Sequence, residues 1–219
     1  MNITAEPSPS HRFAAWQLAG LVAFVPHLIA VVLASAQRPG FDHRAQFLSE
    51  LGERGSTSAF VVNFLGVAPT GVLFAIFGVG LLLHFRTQRS LAVAGAFITL
   101  HGLCRVLAAC FPCDAGCRPI DPSTAQLVHN ASATVAFVSL TAALFTVGAW
   151  LIKRRRRGSI TTVTYVIGGL ALVAQAMLLI HPYGGNVGLY QRVALGSLQL
   201  WVAILAFNLM SRRTHGNDA

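Results

Sequence analysis

The sequence predicts an all-α protein: a bundle of six transmembrane helices, with both termini in the cytoplasm and three longer external loops. Three observations lead to this prediction. Of the 219 residues, 54% are hydrophobic and only 11% are charged, whereas an ordinary soluble domain is about a quarter charged. Six apolar runs are long enough to cross a bilayer, and most basic residues lie in short segments between them. The surplus apolar surface therefore has to face lipid, and we expect a single domain.

The six runs define the predicted spans. A bilayer core of about 30 Å needs roughly 20 apolar residues in a helix. Backbone groups in lipid must pair within their own segment, so each run is expected to be helical. The first two runs carry no charge, and the third carries only Arg105. The spans are residues 14–36, 59–85, 91–111, 128–152, 160–180 and 193–210, with cytoplasmic tails at 1–13 and 212–219.

The distribution of basic residues predicts the orientation. Ten of them lie in the two tails and the two tight turns, most densely at residues 153–157, and five lie in the longer loops. Cytoplasmic segments carry the excess of Lys and Arg, so the longer loops are placed outside. The predicted location is the plasma (inner) membrane of a prokaryote, as a multi-pass protein.

The net charge of +9 has two interpretations. On a soluble protein it would suggest a nucleic-acid partner. Here the basic residues flank apolar runs, which is typical of topology signals and of contact with anionic lipid headgroups. We therefore predict membrane lipids as partners, leave a partner membrane protein open, and predict no nucleic acid.

The first run allows an alternative. Residues 34–36 resemble the small-residue end of a signal peptide, and cleavage there would leave five spans. The run is longer than a usual signal core, and Pro26 and His27 interrupt it, which favours a retained span. Pro26 and Pro69 are candidates for helix kinks, but no helix is expected to break clearly in mid-span.

Polar residues are concentrated near the external end of the predicted spans. Polar groups in lipid are costly and usually face the interior of a bundle. His101 and Arg105 are four residues apart and therefore share a helix face. The sequence predicts a polar pocket beneath the external loops, with these candidate ligand-binding residues: Glu50, Asn63, His101, Arg105, Asp114, His129, His181, Gln191 and Arg192.

Arg105 is the most specific of these residues. A guanidinium about 9 Å below the helix end needs a counter-ion or a route to water, and we expect Glu50 or Asp114 as its partner. In one interpretation Arg105 and Arg192 hold an anionic group, such as a lipid phosphate or a carboxylate. In the other, Arg105 forms a structural ion pair between a loop and the bundle, with its side chain extended toward the interface.

The cysteines of the second external loop predict a disulfide. Cys113 and Cys117 lie in an oxidising compartment, separated by a short segment that allows a tight bend. A metal site formed by Cys113, Cys117 and His129 is a minor alternative, because thiolate and imidazole suit zinc. Their spacing is not a standard zinc signature, and we predict no cofactor.

Several short motifs carry a family resemblance. They lie at residues 49–55, 111–117, 129–132 and 188–192, and the Cys-Asp-x-Gly-Cys stretch at 113–117 is the most specific. With these motifs the chain resembles the domain-of-unknown-function 998 family of prokaryotic membrane proteins. The resemblance implies a small multi-span protein and no particular activity. The matching residues are Glu50, Asn63, Cys113, Asp114, Cys117, His129, Gln191 and Arg192.

Three functions remain open. The favoured one is a non-enzymatic envelope protein that binds a lipid or small ligand, which predicts a cavity lined by Arg105 and apolar walls. The first alternative is an intramembrane hydrolase or transferase acting on lipid, with His129, His181, Asp114 or Glu50 as acid, base or metal ligand. The second is a structural partner subunit, in which every polar group is already paired.

Overall fold

A computed structural model describes residues 15–155 and 158–215, with side chains described as far as residue 211. Within these ranges every regular element is helical, and six helices are long and apolar enough to cross a membrane, which confirms the all-α six-helix prediction. The N-terminal tail with Arg12, the basic residues Arg156 and Arg157, residues 216–219, and the side chains of Arg212 and Arg213 lie outside the described residues. The six spans are Ala15–Ala36, Val61–His84, Arg89–Cys110, Thr124–Lys153, Ser159–Ile180 and Val187–Ser211.

The connections between the spans lie at two ends of the bundle. The longer segments, residues 37–60, 111–123 and 181–186, meet at one end, which we call the loop end. The short connections after His84 and after Lys153 lie at the opposite end. The packed contacts of the first loop with the second loop and with the sixth span hold the loop end together.

Two spans begin earlier than the hydrophobic pattern predicted. The fourth begins at Thr124 rather than residue 128, and the sixth at Val187 rather than residue 193. Ser123 fixes the start of the fourth helix, because its Oγ accepts a hydrogen bond from the backbone N–H of Gln126 at 3.2 Å. Hydrophobicity marks the lipid boundary, whereas a capped helix continues beyond it into the loops.

The first span is divided into α1 (Ala15–Val22) and α2 (Val25–Ala36). Pro26 lies in the first turn of α2, where it lacks an N–H and its ring would clash with a continuous preceding turn. The backbone N–H of His27 donates instead to Thr70 Oγ1 on the second span, at 3.2 Å. The expectation that no helix breaks in mid-span is therefore wrong for the first span.

The second span begins with a π-helix, Val61–Val67, before the α-helix Ala68–His84. The backbone N–H of Ala68 bonds to the Asn63 carbonyl, five residues back. Pro69 follows directly and has no N–H to restore the α pattern. Segments of π-helix are frequently found at functional sites, and this one lines the cavity described below.

The second and third spans are in close contact through glycines. A Cβ on Gly71 would lie 2.6 Å from the Gly102 carbonyl oxygen, and one on Gly95 would lie 2.7 Å from the Gly78 carbonyl oxygen. Small residues let membrane helices approach this closely without a hydrophobic driving force between them. The pair forms a fixed wall of the bundle, and the site residues His101 and Arg105 project from the third span.

Candidate functional site

The first loop forms a cap over the loop end, built around the short 3₁₀ helix Leu48–Gly52. The carboxylate of Glu50 accepts hydrogen bonds from the backbone N–H of Phe47 at 2.9 Å and from Gln46 Nε2 at 2.7 Å. Asn63 Nδ2, on the second span, donates to the carbonyl of Gly52 at 2.7 Å. Glu50 therefore stabilises the start of the 3₁₀ helix, and Asn63 ties its end to the bundle.

The sixth span fixes the same loop from the other side. Gln191 Oε1 accepts a hydrogen bond from the backbone N–H of Leu48 at 2.6 Å. The Arg192 guanidinium donates to the Gln46 carbonyl at 2.9 Å and to His43 Nδ1 at 3.1 Å. Both residues were predicted as ligand candidates, and both hold the cap in place.

The second loop completes the cap. Cys113 and Cys117 lie within disulfide distance of each other, with their Cα atoms 5.0 Å apart. The Asp114 carboxylate accepts from Ser123 Oγ at 2.7 Å and from the Ser123 backbone N–H at 2.9 Å, and it lies 3.7 Å from Arg54. The hydrogen bonds from Ser123 hold the pKa of Asp114 below its usual value, and Arg54 adds to the effect.

Two residues that the sequence prediction missed connect the loops. The Gln126 side chain is 1% exposed, and its Oε1 accepts from the Asp114 backbone N–H at 2.8 Å. Glu53 accepts from Arg38 at 2.9 Å and from the Gly116 backbone N–H at 2.6 Å. Glu53 lies within the motif at residues 49–55 and Gln126 lies three residues before the motif at 129–132, and these positions are the one signal by which they could have been found.

Beneath the cap lies a cavity of about 80 Å³. Five of the spans contribute to its walls, together with Leu48 and Ser49 from the 3₁₀ helix. The apolar part of the walls includes Val62, Phe137 and Leu195. The polar residues that line it are His27, Asn63, His101, Arg105, His129 and Gln191.

Arg105 lines this cavity as an unpaired cation. The residue is 7% exposed, and its Nε and Nη2 atoms have no hydrogen-bond partner. Among the described residues, the ion pairs are formed by other arginines. The expectation that Glu50 or Asp114 pairs with Arg105 is therefore wrong, because both carboxylates are engaged by neighbours within the cap.

His101 supplies an unused acceptor to the same cavity. Its Nδ1 lies 2.8 Å from the Ala136 carbonyl oxygen. A carbonyl can only accept, so we assign the proton to Nδ1 and a lone pair to Nε2. Nε2 is buried and has no partner. His101 and Arg105 both line the cavity, and together they carry one unused acceptor and two unused donors.

His129 stabilises the end of the third span. Its Nδ1 lies 3.0 Å from the Phe111 carbonyl and 3.2 Å from the Ala108 carbonyl, so it donates to groups that a helix end leaves without partners. Cys113 and Cys117 are paired with each other instead of being directed at His129. Among the described residues, no three His, Cys, Asp or Glu side chains are grouped to hold a metal ion.

Four predicted residues do not line the cavity. Glu50, Asp114 and Arg192 belong to the cap, and His181 is exposed where the fifth span ends. Proximity to the loop end did not suffice to bring them together, because hydrogen bonds within the loops hold Glu50 and Asp114 in the cap. His27 was not among the candidates, although a histidine next to Pro26 at mid-depth was a usable signal.

The chain matches the model of a known protein family. A family model described as "Protein of unknown function (DUF998)" matches residues 18–208, a segment that includes the cap and the cavity. No curated protein and no solved structure matches the chain.

Proposed function

The chain belongs to the DUF998 family of proteins of unknown function, and we propose that it binds the anionic group of a lipid or other small ligand in the cavity beneath the loop end. The match confirms the resemblance carried by the motifs at residues 49–55, 111–117 and 188–192. The first and third motifs contribute Ser49 and Gln191 to the cavity. Six membrane-spanning helices make the chain a multi-pass membrane protein.

The unpaired Arg105 is the main support for the proposal. Even the scales that give the lowest values assign a free-energy cost of about 2.5–3.5 kcal/mol to an arginine at the centre of a membrane helix. Nε and Nη2 lie along one edge of the guanidinium, and they are the two atoms without partners. That edge is suited to bidentate, charge-assisted hydrogen bonds with the two oxygens of a phosphate or carboxylate. An oxyanion bound there would compensate the charge.

His101 further restricts the chemical groups that the ligand can carry. Its free Nε2 requires a donor, whereas Arg105 requires oxyanion acceptors. A singly protonated phosphate carries both, as does a carboxylate with a neighbouring hydroxyl. A cavity of about 80 Å³ exceeds the roughly 10–15 Å³ that one water needs, so a group of phosphate size fits and a complete lipid does not.

The contrast between cap and cavity favours a binding site over a purely structural role. A structural partner subunit would pair its buried polar groups throughout, as Glu50 and Asp114 are paired in the cap. Unpartnered buried polar atoms are rare in folded proteins and call for an explanation. Arg105 and His101, which carry these unpaired atoms, line the same cavity, and this supports a ligand there.

For the orientation, we propose the plasma membrane with the loop end outside, on the basis of the excess of Lys and Arg at the opposite end. In a background with Cys104 and Cys110 replaced by serine, Ile120→Cys at the loop end should react with a membrane-impermeant maleimide in intact cells. Thr87→Cys, at the other end, should react only after lysis. Both positions are exposed. The opposite labelling pattern would contradict the orientation.

Ligand titration tests the proposed function directly. Protein in an uncharged detergent is titrated with lysophosphatidate, with lysophosphatidylcholine and with inorganic phosphate, and thermal unfolding is followed. We expect lysophosphatidate to raise the unfolding temperature, because a ligand at 100 times its Kd stabilises by about 2.7 kcal/mol. The zwitterionic lipid should have little effect.

The three ligands separate the alternatives. Stabilisation by inorganic phosphate as strong as that by lysophosphatidate would identify a free oxyanion as the ligand. Equal responses to both lysolipids, or no response to any ligand, would rule out anion recognition.

Mass spectrometry of the incubated lysophosphatidate tests the hydrolase alternative, which requires loss of the phosphate or the acyl chain with time.

A further inference from the structure

A second cavity of about 350 Å³ opens beside the first, between α2 and the sixth span. It arises at the break in the first span: α1 packs against the sixth span, whereas α2 packs mainly against the π-helix of the second. Its walls are mostly apolar and include Leu28, Val31, Gly196 and Leu200. Leu28 and Leu200 are each 54% exposed, so this groove faces the lipid. Its volume is at the lower end of the range for ligand sites.

The groove adjoins the cavity of Arg105. His27, Leu48 and Leu195 line both spaces. Leu48 belongs to the 3₁₀ helix of the cap, and its backbone is fixed by Gln191 at 2.6 Å. On the side of the loops, the hydrogen-bonded cap covers the cavity. On the side of the groove, the side chains of His27, Leu48 and Leu195 lie between the cavity and the lipid.

The groove also contains polar groups that an apolar packing surface does not need. Gln199 is 8% exposed and lines the groove, and its Nε2 has no hydrogen-bond partner. Arg192 lines the groove nearer the loop end. The unused amide donor of Gln199 and the guanidinium of Arg192 suit the oxygens of an anionic lipid. The apolar walls between them suit its acyl chain.

We infer that this groove is the lateral path by which an anionic membrane lipid reaches the cavity, with its phosphate at Arg105 and an acyl chain between α2 and the sixth span. The inference rests on the proposed function and specifies its ligand. Moving a chain from bilayer to groove changes its apolar surroundings little. The groove therefore contributes little affinity of its own, but it keeps the acyl chain in apolar contact while the headgroup leaves the interface. Selectivity for an anionic headgroup comes from Arg105.

Filling the groove tests this path. Gly196 lines the groove, and a Cβ added there would have no atom within 4 Å, so we expect the ring of Gly196→Phe to occupy the groove. Gly169→Phe is the matched control, because Gly169 also has no atom within 4 Å of an added Cβ and lies exposed on the fifth span. We expect Gly196→Phe to weaken lysophosphatidate binding at least tenfold and Gly169→Phe to leave it unchanged. Gly196→Leu should be intermediate.

Inorganic phosphate separates the groove from the anion site. Its binding should be the same in wild type, Gly196→Phe and Gly169→Phe, because it needs only the Arg105 cavity. Unchanged lysophosphatidate binding in Gly196→Phe would overturn the lateral path and leave the proposed function standing. Equal losses of phosphate and lysolipid would also overturn it, since the substitution would then act on the cavity itself. Failure of wild type to bind either ligand would remove the proposed function and the inference together.

Discussion

Replacing Arg105 with methionine should strongly weaken lysophosphatidate binding and leave the unliganded protein at least as stable as wild type. Two charge-assisted hydrogen bonds contribute about 1.5–3 kcal/mol each, so their loss should weaken binding at least about 100-fold. In the unliganded protein, Arg105 is a buried charge without a carboxylate partner. Replacing even a buried ion pair with apolar residues is often neutral or stabilising by about 1–4 kcal/mol, and here the change leaves no carboxylate without its partner.

Two variants complete this experiment, with lipid titration and thermal unfolding as readouts. Arg89→Met removes the same charge from the exposed opposite end of the same helix and should change neither. Arg105→Lys keeps the charge but loses the bidentate geometry, and its binding should be intermediate. A clear fall in stability of unliganded Arg105→Met would show that Arg105 stabilises the bundle without a ligand and would contradict the proposed role.

Gln126→Leu should give the largest loss of stability among single changes at the residues that hold the cap. The Gln126 side chain accepts from the Asp114 backbone N–H at 2.8 Å and donates to the Cys117 carbonyl at 3.1 Å and to Asn130 at 2.8 Å. Leucine has a similar size but leaves these groups unsatisfied, at about 1–3 kcal/mol for each one that stays buried. Thermal unfolding should shift downward by roughly 5–10 °C.

The matched control is Gln37→Leu, an identical substitution at an exposed position of the loop end, which should change the unfolding temperature little. A second readout is the rate at which a reductant opens the Cys113–Cys117 pair, followed by alkylation and mass spectrometry. We expect faster reduction in Gln126→Leu, because the loop that carries the pair loses its anchor to the fourth span. Equal unfolding temperatures and reduction rates for both variants would show that Gln126 does not hold the loop.

The sequence alone was sufficient for the six-helix architecture. Each span is a local property, because about 20 apolar residues without charge must form a helix wherever they enter a bilayer. The polar residues near one end of the spans were equally local, and five of the nine candidates line the cavity. Family membership also followed from short motifs, which the match over residues 18–208 confirms.

Helix irregularities were only partly visible. Pro26 and Pro69 indicated candidate kinks, but the sequence could not show that the first span divides at residues 23–24 or that the second begins as a π-helix. Both outcomes depend on whether a neighbouring helix satisfies the backbone groups that proline leaves free. Thr70 does so for His27, at 3.2 Å, and this partner lies 43 residues away.

The tertiary structure decided which polar groups are paired. Glu50, Asp114 and Arg192 were as plausible as Arg105 for a ligand site, yet neighbours in the cap engage all three. Arg105 and His101 keep unused atoms because the rotation of the third helix turns them into a space that no carboxylate reaches. The length of an apolar run sets the length of a membrane helix. The rotation of that helix about its own axis is fixed by contacts with residues distant in sequence, and it determines which side chains form the site.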